Sequence, residues 1–217
     1  MSAPTVLLTG FEPFDGEEVN PAQEVAHELG GERIAGHRVI PLVLPVTFEG
    51  ISSRLSEAIA ATHPTIAVGI GQAGSRARIS IERVAINLVD ARIADNAGAQ
   101  PVDAPVIAGA PAAYFSTLPV KAMLAALEAA GVPAELSFSA GSFVCNAVFF
   151  ATMHLLATRH PPVRGGFIHV PYLPRQAARH PGAPSLDIGT LSKGIGIAIE
   201  AALAHAQDLR VAAGTTD

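Results

Sequence analysis

The sequence predicts an α/β fold: a single three-layer α/β/α domain with a mostly parallel twisted sheet and helices on both faces. Three observations predict it. Short apolar runs alternate with segments of helical period, the pattern of strands joined by crossover helices. The 217 residues, 49% hydrophobic and 15% charged, suffice for one continuous buried core. No internal repeat or linker divides the chain, so residues 1–217 read as one domain.

The elements follow in order. Val6-Leu7-Leu8 reads as a first strand, ending in the Gly/Pro-rich loop Gly10–Gly16. Asn20-Pro21 has the form of an N-cap followed by proline at the first helical position, and that helix stops at Gly30-Gly31. Val39–Val46 reads as a strand whose Pro41 and Pro45 suit a sheet edge. Thr47–Ala61 places Phe48, Ile51, Leu55 and Ile59 on one helical face. Thr65–Ile70 is a buried strand, and Arg78–Val89 a strand of a hairpin-like excursion. Ala97–Pro119, rich in Gly, Ala and Pro, reads as a long loop. Val120–Ala130 is a helix, Ala134–Ser139 a strand, Ala140–Ser142 a turn, and Val144–Thr158 a helix. Gly166–Val170 is a strand, followed by a Pro-punctuated loop and a final helix over Leu191–Gln207.

Composition narrows the function. With 14 Lys+Arg against 19 Asp+Glu, a net charge of −5 and no basic cluster, the chain suits neither nucleic acid nor an anionic membrane. Its partner is expected to be small or peptidic. The single Cys excludes an intramolecular disulfide framework, a Cys-rich zinc site and two-cysteine redox chemistry. His154 and His160 are six residues apart with no His-Glu-x-x-His pattern, so no metal is expected. The N-terminal apolar run stops at Thr9-Gly10, too short for a signal peptide, and Ala140–Ala157 carries Asn146 and His154, unsuited to a membrane span. A cytoplasmic protein is expected, and its low charge favours self-association.

Cys145 is the leading candidate for chemistry. It follows a strand and a small-residue turn and falls in the first turn of a helix, where unpaired N–H groups and the helix dipole favour a thiolate. The alternative is a buried Cys acting as a small hydrophobe. His169 ends a strand just before Pro171. In parallel α/β sheets the carboxyl ends of strands build the active crevice, so Cys145 and His169 are expected to meet there as nucleophile and general base. Glu82 is a carboxylate in an apolar strand pattern. It either orients the imidazole or pairs at the surface with Arg83 or Arg78. Asp95 is a rival for the orienting role and equally suits a turn cap. Gly69-Ile70-Gly71-Gln72-Ala73-Gly74 matches G-x-G-x-x-G, but loop and strand follow it instead of the helix a pyrophosphate would need. These glycines are read as allowing close approach of a ligand. Phe11, Phe14 and Phe143 are read as loop rings walling a pocket beside the crevice.

Four stretches together resemble pyroglutamyl-peptidase I, a family of intracellular cysteine peptidases. They are Leu7–Phe14; Gly71–Gly74 with Glu82–Asn87; Ala140–Asn146; and Gly165–Tyr172. The resemblance runs from Val6 to the last helix. It implies a Cys/His/Glu triad on Cys145, His169 and Glu82, a single α/β/α domain, removal of N-terminal 5-oxoproline from peptides, no cofactor and a homotetramer. Two departures stand out: Gly74-Ser75-Arg76 where the family usually has Gly-Gly-Arg, and Ala147 where relatives often have His. Neither touches the triad.

For a neutral lactam head group the expected pocket has apolar walls from Phe11, Phe14 and Phe143, a polar edge near Gln72, and no carboxylate to catch an ammonium. The Cys145 N–H, with Arg92, is expected to stabilise an oxyanion. A nucleotide-binding module using Gly69–Gly74 and a cysteine amidase for another cyclic amide are the alternatives.

Overall fold

The computed structural model describes residues 3–214. In chain order the elements are β1 (Thr5–Phe11), α1 (Pro21–Leu29), β2 (Arg33–Ile34), β3 (His37–Leu44), α2 (Ile51–Thr62), β4 (Ile66–Gln72), β5 (Ile79–Glu82), β6 (Val84–Ile86), β7 (Ala113–Phe115), α3 (Val120–Ala129), β8 (Ala134–Ser137), α4 (Val144–Arg159), β9 (Arg164–Val170), α5 (Pro174–Ala177) and α6 (Ile188–Ala204). Seven strands form one sheet in the order β2-β3-β1-β4-β9-β5-β8; β6 and β7 form a separate pair.

The centre of the sheet is parallel, with β3, β1, β4 and β9 running together. β5 is antiparallel to β9, and β8 follows the direction of β5. The strands send alternate side chains to two cores. Val6, Leu8, Ile66, Val68, Ile70, Ile168 and Val170 meet α1, α3 and α6 on one face. Leu7, Phe11, Ala67 and Phe167 meet α2 and α4 on the other. Helices therefore cover both faces of a mostly parallel sheet, the three-layer architecture expected.

Local chemistry explains the element ends. Asn20 caps α1 by accepting from the Ala22 N–H at 3.0 Å, with Pro21 in the first turn. α2 starts at Ile51, four residues later than its apolar stripe suggests, because Gly50 turns left-handed at φ 77°. α6 starts three residues earlier than expected, since Asp187 accepts from the Thr190 N–H. β3 is not the outermost strand: β2 pairs with His37 and Arg38. Pro41 lies beyond that short pairing, where no outer strand needs its missing N–H.

Two expectations are corrected. Arg78–Val89 is not one strand. The chain leaves the main sheet at Arg83, and Val84–Ile86 pairs instead with Ala113–Phe115. The Ala97–Pro119 segment is accordingly not all loop: it contains β7 and a bridge from Ala104 to Val89. Its backbone groups need partners, and the displaced β6 supplies them.

Candidate active site

The face shared with α4 is where the strand pattern changes. β4 presents Ala67, Gly69 and Gly71 there, β9 presents Phe167 and His169, and β5 presents Ser80 and Glu82. His169 is the register partner of Gly71 on one side and of Ser80 on the other. Its Nδ1 lies 2.7 Å from Glu82 Oε1, and both residues are buried. A carboxylate can only accept, so Nδ1–H is the donor and Nε2 is left as the basic nitrogen.

Cys145 reaches this row from α4. A Cβ added to Gly71 would stand 2.8 Å from Cys145 Sγ and 2.9 Å from the Phe167 ring, so the thiol packs directly over the glycine paired with His169. Phe167 packs edge-on to the His169 ring at 5.1 Å between centroids. The site thus brings Cys145, His169 and Glu82 onto one face of three adjacent strands. Among the described residues no hydrogen bond joins Sγ to the imidazole, whose one side-chain partner is Glu82.

The route to this meeting differs from the expectation. β8 runs opposite to β9, so their carboxyl ends lie at opposite ends of the sheet and the parallel-sheet rule does not itself join Cys145 to His169. Side-chain anchors do. Asn146, fully buried, accepts from the Ile86 N–H at 3.0 Å and donates to the Ile86 and Leu88 carbonyls at 2.9 and 3.0 Å. Ser142 donates to the Asp90 carbonyl at 2.8 Å. Together they fix the start of α4 against the 86–90 segment. α4 is apolar around its whole circumference, which its burial requires.

The thiol's electrostatics also correct the expectation. Burial and the Glu82 carboxylate push the Cys145 thiol up to about 12, against the downward pull of Arg76 and its own backbone N–H. The first turn of α4 does favour an anion, but enclosure against Phe167 and the negative Glu82 outweigh it.

Arg76 was not foreseen as a site residue. Its Nη1 donates to Glu82 Oε1 at 2.6 Å and Nη2 to the Ser139 carbonyl at 2.8 Å. The partners expected for Glu82 do not serve it: Arg83 faces away along the strand and approaches Asp208 at 3.6 Å. A signal existed, because neighbouring strand residues point to opposite faces and Arg83 could never share a face with Glu82. Asp95, the rival, is engaged elsewhere. Burial raises its carboxyl, but N–H groups of Phe48, Ala99, Ala97 and Gly98 hold it below its ordinary value.

A cavity of about 440 Å³ opens beside this row. Phe14, Phe143, Gln72 and Arg92 line it. Ser142 and Phe143, just before Cys145, and Gln72, next to Gly71, place the thiol immediately behind the wall. Phe11 departs from the expectation of a loop ring: it ends β1, is 2% exposed, and packs in the core at 6.3 Å from Phe167. The wall is also less apolar than expected, carrying Asp15, Glu17 and Asp90. Burial raises Glu17, but bonds from His180 at 2.6 Å and Gln176 at 3.3 Å, with Arg179 nearby, hold it below its ordinary value. Gln176 also donates to Gln72 Oε1 at 2.9 Å, which leaves the Gln72 amide N–H for a ligand.

The G-x-G-x-x-G segment has a structural reading. A Cβ on Gly69 would meet Phe167 at 2.4 Å, and one on Gly74 would meet Tyr172 at 2.1 Å. These glycines admit site side chains instead of a phosphate, and β5 follows where a dinucleotide would need a helix. Among the described residues no group of three or more His, Cys, Asp or Glu could hold a metal ion, and no helix is long and apolar enough to cross a membrane.

Comparison with known proteins bears on the same segments. A family profile described as Pyroglutamyl peptidase matches residues 4–205. The chain is 54% identical over 213 residues to the pyrrolidone-carboxylate peptidase of Cupriavidus taiwanensis, covering 97% of this chain and 98% of that one. It is 51% identical to the enzyme of that name from Escherichia fergusonii, with 98% and 99% covered. The fold superimposes on the crystal structure of pyroglutamyl peptidase I from Bacillus amyloliquefaciens with a TM-score of 0.94 at 42% identity, over 97% of this chain and 100% of that one. A mutant pyrrolidone carboxyl peptidase from the hyperthermophile Pyrococcus furiosus gives 0.89 at 43%, over 92% and 98%.

Proposed function

The chain belongs to the pyroglutamyl peptidase family, and from that premise we propose that it hydrolyses the amide bond after an N-terminal pyroglutamyl residue using Cys145, His169 and Glu82. The observation that carries this assignment of roles is the 2.7 Å bond from His169 Nδ1–H to Glu82 with Cys145 Sγ seated over the register partner of His169.

Nε2 of His169 accepts the thiol proton as Sγ attacks the exocyclic carbonyl of the substrate. The imidazolium then lies between sulfur and Glu82, which stabilises it and keeps the ring in the correct tautomer. The oxyanion forms at the start of α4, where the Cys145 N–H, with Arg92, stabilises it. Imidazolium protonates the departing amine, a thioester remains, and water attacks it with His169 again taking the proton.

Recognition of the lactam falls to the cavity. Phe14 and Phe143, 6.3 Å apart with Phe48 edge-on to Phe143 at 5.4 Å, give apolar walls for a flat neutral ring. The free Gln72 N–H suits the lactam carbonyl. Phe11 supports these walls from behind, through the core. A prolyl amide lacks that carbonyl and leaves a buried donor unpaired, so it is rejected by as much as about 10⁴-fold. The protein acts as one domain over residues 1–217, in the cytoplasm and without a cofactor. It assembles as a homotetramer, a reading carried over from the resemblance and supported by the exposed Phe115 and Phe138.

A panel of pyroglutamyl, prolyl and glutaminyl amides of one fluorophore tests this reading. Release from the first alone, lost in a folded Cys145→Ala variant, is the expected outcome. Equal turnover of all three, or retained turnover in the variant, refutes it.

A further inference from the structure

Glu82 has two partners, and one oxygen serves both. Oε1 accepts from His169 Nδ1 at 2.7 Å and from Arg76 Nη1 at 2.6 Å, while Oε2, equally buried, has no partner among the described residues. For Nε2 to take a proton, His169 must be neutral at rest, and a neutral imidazole brings no charge to a fully buried carboxylate. Such a charge needs a cation nearby. Among the described residues Arg76 is the one guanidinium or ammonium within ion-pair distance of Glu82.

The surroundings of Glu82 offer no substitute. β8 contributes Glu135, whose Oε1 is taken by the Ser80 hydroxyl at 2.8 Å. β9 contributes His169 alone, and α4 the thiol of Cys145 and the amide of Asn146, neither of them a cation. Arg76 is itself held from two sides. Its N–H donates to the Ala73 carbonyl at 3.0 Å in the turn closing β4, and Nη2 reaches Ser139 in the loop leading to Cys145. One residue, through its backbone N–H and its guanidinium, therefore ties together the segments that carry Gly71, Glu82 and Cys145.

We propose that Arg76 is a positioning residue of the catalytic row: it balances the charge of Glu82 and holds Oε1 toward His169, so that the imidazole stays neutral until the thiol proton arrives. The proposal rests on the roles assigned above to Cys145, His169 and Glu82. Its consequence has a definite sign. Loss of a nearby cation favours imidazolium and disfavours thiolate, so both groups give up their protons at higher pH.

The test compares native protein with Arg76→Gln and Arg76→Lys in two assays. One is the pH profile of kcat and KM on a pyroglutamyl amide. The other is the pH dependence of alkylation of Cys145, the chain's single cysteine, by iodoacetamide. In Arg76→Gln the kcat profile moves up by about one to three pH units, with kcat on the acid side falling about tenfold per unit and KM little changed, and alkylation at any one pH slows about tenfold per unit of that shift. Arg76→Lys, which keeps the charge, retains the native positions. Superimposable native and Arg76→Gln profiles, or Arg76→Lys displaced as far as Arg76→Gln, overturn the proposal. Should Arg76→Gln fail to fold, Arg76→Met takes its place in both assays: displaced profiles support the proposal and native positions overturn it. If native protein leaves the pyroglutamyl amide intact, the substrate reading fails and the alkylation arm still judges Arg76.

Discussion

The two faces of the sheet are built by the same strands to different ends. In β9, Ile168 and Val170 enter the core beneath α1, α3 and α6, while Phe167 and His169 face α4. In β4, Ile70 faces one way and Gly69 and Gly71 the other; in β5, Ile79 and Ile81 oppose Ser80 and Glu82. One face is continuous branched aliphatic packing. The other gives up side-chain volume at its glycines to admit Phe167 and a sulfur, and it buries a carboxylate and an imidazole. A strand residue has little influence on its neighbour's face. A reactive row can therefore be set into one side of a sheet while the other side supplies the packing that holds it rigid.

Paired substitutions across the two faces sharpen this contrast. His169→Ala should lower kcat by about 10⁴- to 10⁶-fold in protein that still folds, at about 1–3 kcal/mol for the partner lost to Glu82, whereas Ile168→Ala should cost about 2–5 kcal/mol of stability and leave kcat near native once folded. Chemical denaturation with turnover of a pyroglutamyl amide reads both; a large kcat loss in the Ile168 variant would break the separation. Glu82→Gln keeps an acceptor for His169 but removes the charge, and should reduce kcat by up to about 10⁴-fold while KM holds. Ile81→Val, its neighbour, should cost about 0.5–1.5 kcal/mol and no activity.

Gly71→Ala places a methyl 2.8 Å from Cys145 Sγ and 2.9 Å from Phe167. Because the sulfur must shift, activity falls about 10²-fold, and Cys145 alkylation measures the displacement. Unchanged alkylation would show that the thiol does not sit where described. The smallest effect concerns the anchor: Asn146→Ala orphans the Ile86 N–H and two carbonyls, at about 1–3 kcal/mol per group left unpaired, read as a lower denaturation midpoint.

Much of this was legible from composition and period. Short apolar runs marked β1, β4 and β9, and capping residues marked α1, because those signals are local. Cys145, His169 and Glu82 each stood out as a chemically odd residue in an apolar setting. What was not legible depends on pairing over long distances. The reversal of β5 and β8, and the pairing of Val84–Ile86 with Ala113–Phe115, follow from which strand lies alongside, and no local pattern encodes that. Phe11 looked like a loop ring because Gly10 precedes it, yet β1 continues through both. For Cys145 the helix end is visible in the sequence, whereas its packing against Phe167 and the nearness of Glu82, which push the thiol up, are not. Arg76 lay six residues from Glu82 without a helical or strand period to connect them; a turn does so.

The central claim is that one sulfur, in one place, carries the reaction. The chain's single cysteine makes the measurement direct. Protein labelled to increasing extents with iodoacetamide is weighed by intact mass and assayed on a pyroglutamyl amide. Turnover should fall in proportion to the unlabelled fraction and reach zero when every chain carries one adduct on Cys145. Fully labelled protein that still releases the amine would contradict the account.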